Sequence, residues 1–155
     1  MGFRSRAAVF FTLLTVLFCT AACPALADGL DLGAYKGKVV YLDFWASWCN
    51  PCRQSFPWMN QLQEMYGSKG LVVIAVNVDH ERDLADEFLQ NNKAQFKIVY
   101  DQNGAIAEKY DFKDMPTSIL IGRDGKIRYV HNGFYPNQEG LYDTHINALL
   151  NEKGL

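Results

Sequence analysis

Hydrophobic and polar positions along the chain alternate between runs of two kinds. Val39-Val40-Tyr41-Leu42-Asp43-Phe44-Trp45 is an almost unbroken apolar, β-branched run. Such a run predicts a strand covered on both faces, as at the centre of a sheet under helices. From Asn50 to Tyr66 the pattern changes period: Phe56, Met59, Leu62, Met65 and Tyr66 recur at spacings of three and four, which predicts a helix with one apolar face. Pro51 suits the first helical turn, Pro57 should kink the helix, and Gly67 and Gly70 should end it. Further on, the pattern predicts strands over Leu71–Val78, Lys97–Tyr100, Thr117–Ile121 and Ile127–His131. Helices are expected over Asp83–Gln90, from Asn103-Gly104 to Tyr110, and over Gln138–Glu152. Asp124-Gly125 marks a hairpin turn between the last two strands. Gly29 to Lys38 reads as an irregular lead-in.

Strands separated by helices, closed by an antiparallel pair and a last helix, predict an α/β fold with a mixed central sheet between helical layers. No internal repeat, low-complexity tract or linker interrupts the order, so residues 28–155 read as one domain.

The first residues follow other rules. Arg4 and Arg6 precede an apolar run from Ala7 to about Ala22, Pro24 follows, and Ala25-Leu26-Ala27 offers small residues where a signal peptidase reads them. Residues 1–27 are therefore expected to be an export signal cleaved after Ala27. Retention of the run as a membrane anchor is an alternative, although a full span needs ~20 apolar residues. Lipidation of Cys23 after Thr20-Ala21-Ala22 is another; only these two alternatives would place the protein on a membrane.

Cleavage would remove two arginines and no acids, moving the formal charge from −2 to −4. Nucleic-acid binding needs a basic face, so this balance argues against it. Cleavage would also remove Cys19 and Cys23, leaving Cys49 and Cys52 of the chain's four cysteines. Two cysteines separated by two residues close a loop too small to stabilise much by chain entropy. The pair is expected to serve chemistry rather than to staple the fold.

Its position supports that. A strand feeds through Ala46-Ser47-Trp48 into a helix whose first turn carries both sulfurs. Unpaired N–H groups and the helix dipole at an N-terminus favour a thiolate, the reactive form of cysteine. Cys49, at the helix mouth, is the candidate nucleophile and is expected to be exposed. Cys52, three residues on and deeper, is the candidate resolving thiol. Half of a zinc site is the competing reading, but zinc needs four ligands and the remaining candidates, His80, His131 and His145, are scattered in sequence. A Cu(I) site on two thiolates is a further alternative. No cofactor is expected.

Asp43 is an acid inside a buried run, which costs free energy unless it has a partner or a task. Burial would raise its pKa, so that it could exchange a proton with Cys52; an edge position facing solvent is the alternative. Met115-Pro116-Thr117 heads a strand, where proline is tolerated. A cis bond there would present the Met115 backbone to an extended substrate. Trp48, Asn50 and Pro51 are expected to share that substrate groove. His131 reads as structural, and the acidic run from Asp83 to Glu87 as a solvated helix face.

Together, Asp43-Phe44-Trp45-Ala46, Trp48-Cys49-Asn50-Pro51-Cys52, Pro57 and Met115-Pro116-Thr117 resemble the thioredoxin superfamily over Lys38 to Glu152. Phe56-Pro57-Trp58-Met59, the closing Ile119–Ile127 stretch and the N-terminal signal resemble its TlpA/ResA/DsbE branch. The resemblance implies a thioredoxin-like three-layer α/β/α sandwich and a periplasmic or otherwise extracytoplasmic reductant. It would draw electrons from a membrane thiol carrier and act on cysteines of partner proteins, such as apocytochrome c or copper-site proteins. The chain departs from the branch at Asn50-Pro51, at Asp43 where Asn is frequent, at Ala75 where thioredoxins carry a lysine, and in a shortened lead-in over Leu30–Lys36. An oxidase or isomerase uses the same residues, because direction depends on reduction potential and on the recharging partner.

Overall fold

The structure is a computed structural model that describes residue 1, residues 30–111 and residues 113–152. Residues 2–27 of the expected export signal, with Cys19 and Cys23, lie outside the described residues. Among the described residues no helix is long and apolar enough to cross a membrane.

Five strands form one sheet: β1 (Val39–Trp45), β2 (Leu71–Asn77), β3 (Lys97–Tyr100), β4 (Thr117–Ile121) and β5 (Ile127–Asn132). Their order is β3-β2-β1-β4-β5. β1, β2 and β3 are parallel, while β4 runs antiparallel to both β1 and β5. The helices are α1 (Asn50–Tyr66), α2 (Arg82–Asn91), α3 (Ala105–Glu108) and α4 (Glu139–Asn151). This is the expected mixed sheet between helical layers.

The two faces of β1 explain its continuous apolar run. Tyr41 and Trp45 point into a core shared with Phe56, Met59 and Leu62 of α1, Phe88 of α2 and Ile146 of α4. Val40, Leu42 and Phe44 point the other way, against Ile74, Ile106 and Ile119. That second face has a thinner cover: α3 and the 3-10 turn Leu32–Tyr35, part of the lead-in expected to be irregular. Asp31 caps this turn by accepting from Gly33 N–H at 2.8 Å.

α1 continues through Pro57 as a single helix. The β4–β5 hairpin closes at Gly122–Lys126, where Gly125 adopts φ +79°, open to glycine at little cost. Opposite the cysteine end of β1, the Arg123 guanidinium donates to the carbonyls of Gly37, Lys69 and Leu150. One side chain thereby ties the starts of β1 and β2 to the end of α4.

Candidate active site

β1 ends at Trp45, and the chain turns through Ala46-Ser47-Trp48 into α1. The turn is pinned from below. Buried Asp79 accepts from Ser47 N–H at 2.9 Å, Ser47 Oγ at 3.0 Å and Asn77 Nδ2 at 2.7 Å. Asp79 was not singled out in the sequence; its only signal was an acid following the apolar run of β2.

Cys49 is the N-cap of α1. It forms a disulfide with Cys52, with S–S 1.97 Å and Cα–Cα 5.3 Å. Cys49 Sγ also accepts from Cys52 N–H at 3.2 Å, so an unpaired donor of the helix start points at the expected nucleophilic sulfur. Cys49 was expected to be exposed and is 4% exposed, against 0% for Cys52. Cys49 Sγ is bonded to Cys52 Sγ and accepts from the helix start, and both contacts take surface of the residue away from solvent. The relative order, Cys49 outside Cys52, is as expected. Trp48 is 69% exposed at the rim, and Asn50 and Pro51 are exposed at the helix tip.

Asp43 is 1% exposed, on the face of β1 that Tyr41 and Trp45 share with α1; the solvent-facing alternative is ruled out. Its Oδ2 has no hydrogen-bond partner among the described residues. Burial pushes its carboxyl well above the usual carboxylate range. Its cross-strand partner on one side is Ala75, which brings no lysine, and on the other Ser118. Tyr41, two residues before it on the same face, is pushed upward by burial and by the Asp43 charge, while a hydrogen bond with Ser118 opposes the rise.

The Met115–Pro116 peptide is cis. Pro116 O accepts from Gly133 N–H at 2.7 Å, drawing the loop after β5 beside it. Pro51, Asp114, Met115, Asn132, Gly133, Phe134 and Tyr135 line a groove of about 360 Å³. Thr117 is buried, and its Oγ1 donates to Asp114 O at 2.7 Å, so its side chain is committed inward. The structure therefore brings Met115 and Pro51 together, with Trp48 on the neighbouring rim. The Gly133–Tyr135 contribution was missed; an exposed aromatic beside a glycine in Gly133-Phe134-Tyr135-Pro136 was the available signal. Trp58 is core, edge-on to Tyr41 and Tyr142.

The histidines correct one expectation. His131 and His145, 14 residues apart and read as scattered, meet with Nε2···Nδ1 at 2.9 Å because β5 lies under α4. Desolvation, followed by the nearby His145, lowers the pKa of His131 to about 4. Among the described residues no three His, Cys, Asp or Glu side chains are grouped to hold a metal ion.

Comparison with known proteins agrees with this geometry. The Redoxin family matches residues 18–146. The thiol-disulfide oxidoreductase ResA of Geobacillus thermodenitrificans is 34% identical over 130 residues, covering 80% of this chain and 75% of that protein. ResA of Bacillus thuringiensis is 37% identical over 98 residues, 63% of this chain; the chain spans 57% of that relative's length. Among solved structures, the Chlorobium tepidum protein assigned as thiol:disulfide interchange protein DsbE is 49% identical with a TM-score of 0.75, over 77% of this chain and 84% of that one. StoA of Bacillus subtilis is 28% identical with a TM-score of 0.61, over 70% and 84%. A CxxC disulfide capping the first helix after a central strand is thus set in a fold shared with thiol-disulfide exchange proteins, and the chain belongs to the Redoxin family, within the ResA/DsbE-like branch of the thioredoxin superfamily.

Proposed function

We propose that the chain is an extracytoplasmic thiol–disulfide oxidoreductase that reduces disulfides of partner proteins through Cys49 and Cys52. The observation that carries the reading is the Cys52 N–H aimed at Cys49 Sγ at the mouth of α1. In the reduced protein the same donor and the helix dipole favour a Cys49 thiolate.

In the reaction, Cys49 thiolate attacks a substrate sulfur, the substrate S–S bond breaks, and one substrate thiolate leaves. Cys52 then gives its proton to Asp43, which is buried and has an oxygen free to receive it. Cys52 sulfur attacks Cys49 sulfur, the mixed disulfide breaks, and the second substrate thiolate leaves. Two electrons pass from the dithiol to the substrate. The groove between Pro51 and Met115–Tyr135 receives an extended segment of the substrate, with Trp48, Asn50 and the backbone around Met115, Pro116 and Thr117 in contact with it.

A membrane thiol carrier would return the electrons, and apocytochrome c or copper-site proteins are the substrates that the family resemblance suggests. The predicted signal over residues 1–27 supports export.

Reduction of insulin disulfides with dithiothreitol tests the reading: the purified protein should accelerate it and Cys49→Ala should not. Absence of activity, or activity unchanged in Cys49→Ala, would refute it. A glutathione redox titration tests direction; a potential near roughly −120 mV, that of a strong oxidant, would turn the assignment to an oxidase.

A further inference from the structure

One row of residues crosses the sheet on its α1/α4 face and breaks the apolar pattern around it. Asp43 of β1 is the register partner of Ser118 of β4, and Ser118 is the register partner of His131 of β5. Side chains of directly opposed residues share a face, with Cβ atoms about 4.5–5.5 Å apart. Beyond them, α4 adds His145. Asp43 and Ser118 are neighbours by register, and from Ser118 the contacts run on: Ser118 Oγ···His131 Nδ1 is 3.5 Å, and His131 Nε2···His145 Nδ1 is 2.9 Å. The file starts at a carboxyl that is 1% exposed and ends at a histidine with partial solvent contact.

We infer that Ser118, His131 and His145 form the path by which Asp43 exchanges its proton with solvent, and so reset the acid after each turnover. The inference rests on the reading of Asp43 as the acceptor of the Cys52 proton. These three residues act through Asp43 and touch neither sulfur.

A buried acid that has taken a proton must lose it before it can accept another, and its direct way to water is closed. Ser118 suits the first transfer because a hydroxyl accepts one proton while releasing its own. It passes a proton to His131 Nδ1; His131 releases the Nε2 proton to His145 Nδ1; His145 releases its own Nε2 proton to water. Every group again holds as many protons as at the start, and one proton has left the protein. A neutral imidazole is needed for this, because only then is one ring nitrogen an acceptor and the other a donor. Burial and the neighbouring His145 keep His131 neutral down to a pH of about 4.

Three tyrosines lie against the file. Tyr129 of β5 stacks on His145 with ring centroids 3.9 Å apart, Tyr142 of α4 lies against His131 at 4.7 Å, and Tyr41 of β1 reaches Ser118. Burial raises the pKa of Tyr41 and of Tyr142, which keeps both uncharged near neutral pH.

Proton release can be timed against dithiol oxidation. Reduced protein is mixed by stopped flow with dithiobis(nitrobenzoate), whose aromatic thiolates leave as anions, so the Cys52 proton itself reaches solution. Tryptophan fluorescence follows the sulfurs and a pH-indicator dye follows the proton. In the native protein both signals should rise together. In Ser118→Ala and in His145→Ala the proton should lag by about a hundredfold, the low end of the roughly 10²–10⁴-fold that a positioned proton carrier supplies. Ser118→Thr, which restores the hydroxyl, should remove the lag, and added imidazole should remove it in His145→Ala. No lag in either alanine variant, with Asp43→Asn still slowing oxidation, would overturn the path and leave the role of Asp43 standing. Unslowed oxidation in Asp43→Asn would overturn both.

Discussion

The backbone N–H of Cys52 donates to the sulfur of Cys49 at 3.2 Å, so the two redox partners are joined by a hydrogen bond as well as by the disulfide. The donor belongs to the helix start and remains there when the S–S bond is reduced. The Cys49 thiol should therefore ionise at a lower pH than an ordinary cysteine. The pH dependence of alkylation of the reduced protein measures it. Cys52→Ser should retain this reactive thiol and accumulate mixed disulfides with substrate proteins.

Asp43 sets a second expectation. Its folded pKa lies above its unfolded one, so its unfavourable effect grows as pH rises from about 4 and the unfolded chain ionises first. Asp43→Asn should raise the melting temperature at pH 8 more than at pH 5, while slowing the resolving step. Thermal unfolding at the two pH values, beside single-turnover kinetics, checks the pair of effects.

His131 works in the opposite direction along the pH axis. It is a base whose pKa falls from 6.5 to about 4 on folding, so the unfolded chain takes up the proton first in acid. Its contribution is complete above pH 6.5 and is lost as pH drops toward 4. Because the residue is only about half buried, the loss should be about 1–2 kcal/mol rather than the full value of the shift. Denaturant unfolding at pH 7 and pH 4.5 measures it, and His131→Phe should flatten that difference.

Asp79 should matter to stability without touching a sulfur. Removing its carboxylate leaves Ser47 N–H, Ser47 Oγ and buried Asn77 Nδ2 short of their acceptor. Asp79→Ala should cost about 2–3 kcal/mol, in line with orphaned buried donors to a charged group. Urea unfolding checks the loss, and a fall in Trp48 fluorescence anisotropy would show the turn before Cys49 loosening.

Much of this arrangement was legible in the chain. β1, α1, β3 and β4 fall on the expected residues, because long apolar runs, helical spacing and glycine stops are local signals. The strand–CxxC–helix unit is local too, and so were its two sulfurs. The buried setting of Asp43 followed from the apolar residues on both sides of it. What escaped the reading depends on pairing at a distance. Ser118 looked like an ordinary polar residue in a strand, and only the β1–β4 register puts it opposite Asp43. His131 and His145 looked unrelated until α4 crossed β5. The Phe134–Tyr135 wall of the groove comes from a loop whose place is set by Gly133 N–H bonding to Pro116 O.

The placement of β1 between β2 and β4 has a consequence for the protein's working life. Its amides are shielded on both edges and both faces, so in hydrogen exchange they should open only when the whole domain unfolds. The cysteine turn is anchored to this least yielding strand. On the function proposed above, each gain or loss of electrons would fall on a turn anchored to the part of the domain slowest to open, so redox cycling should leave the exchange of the β1 amides unchanged.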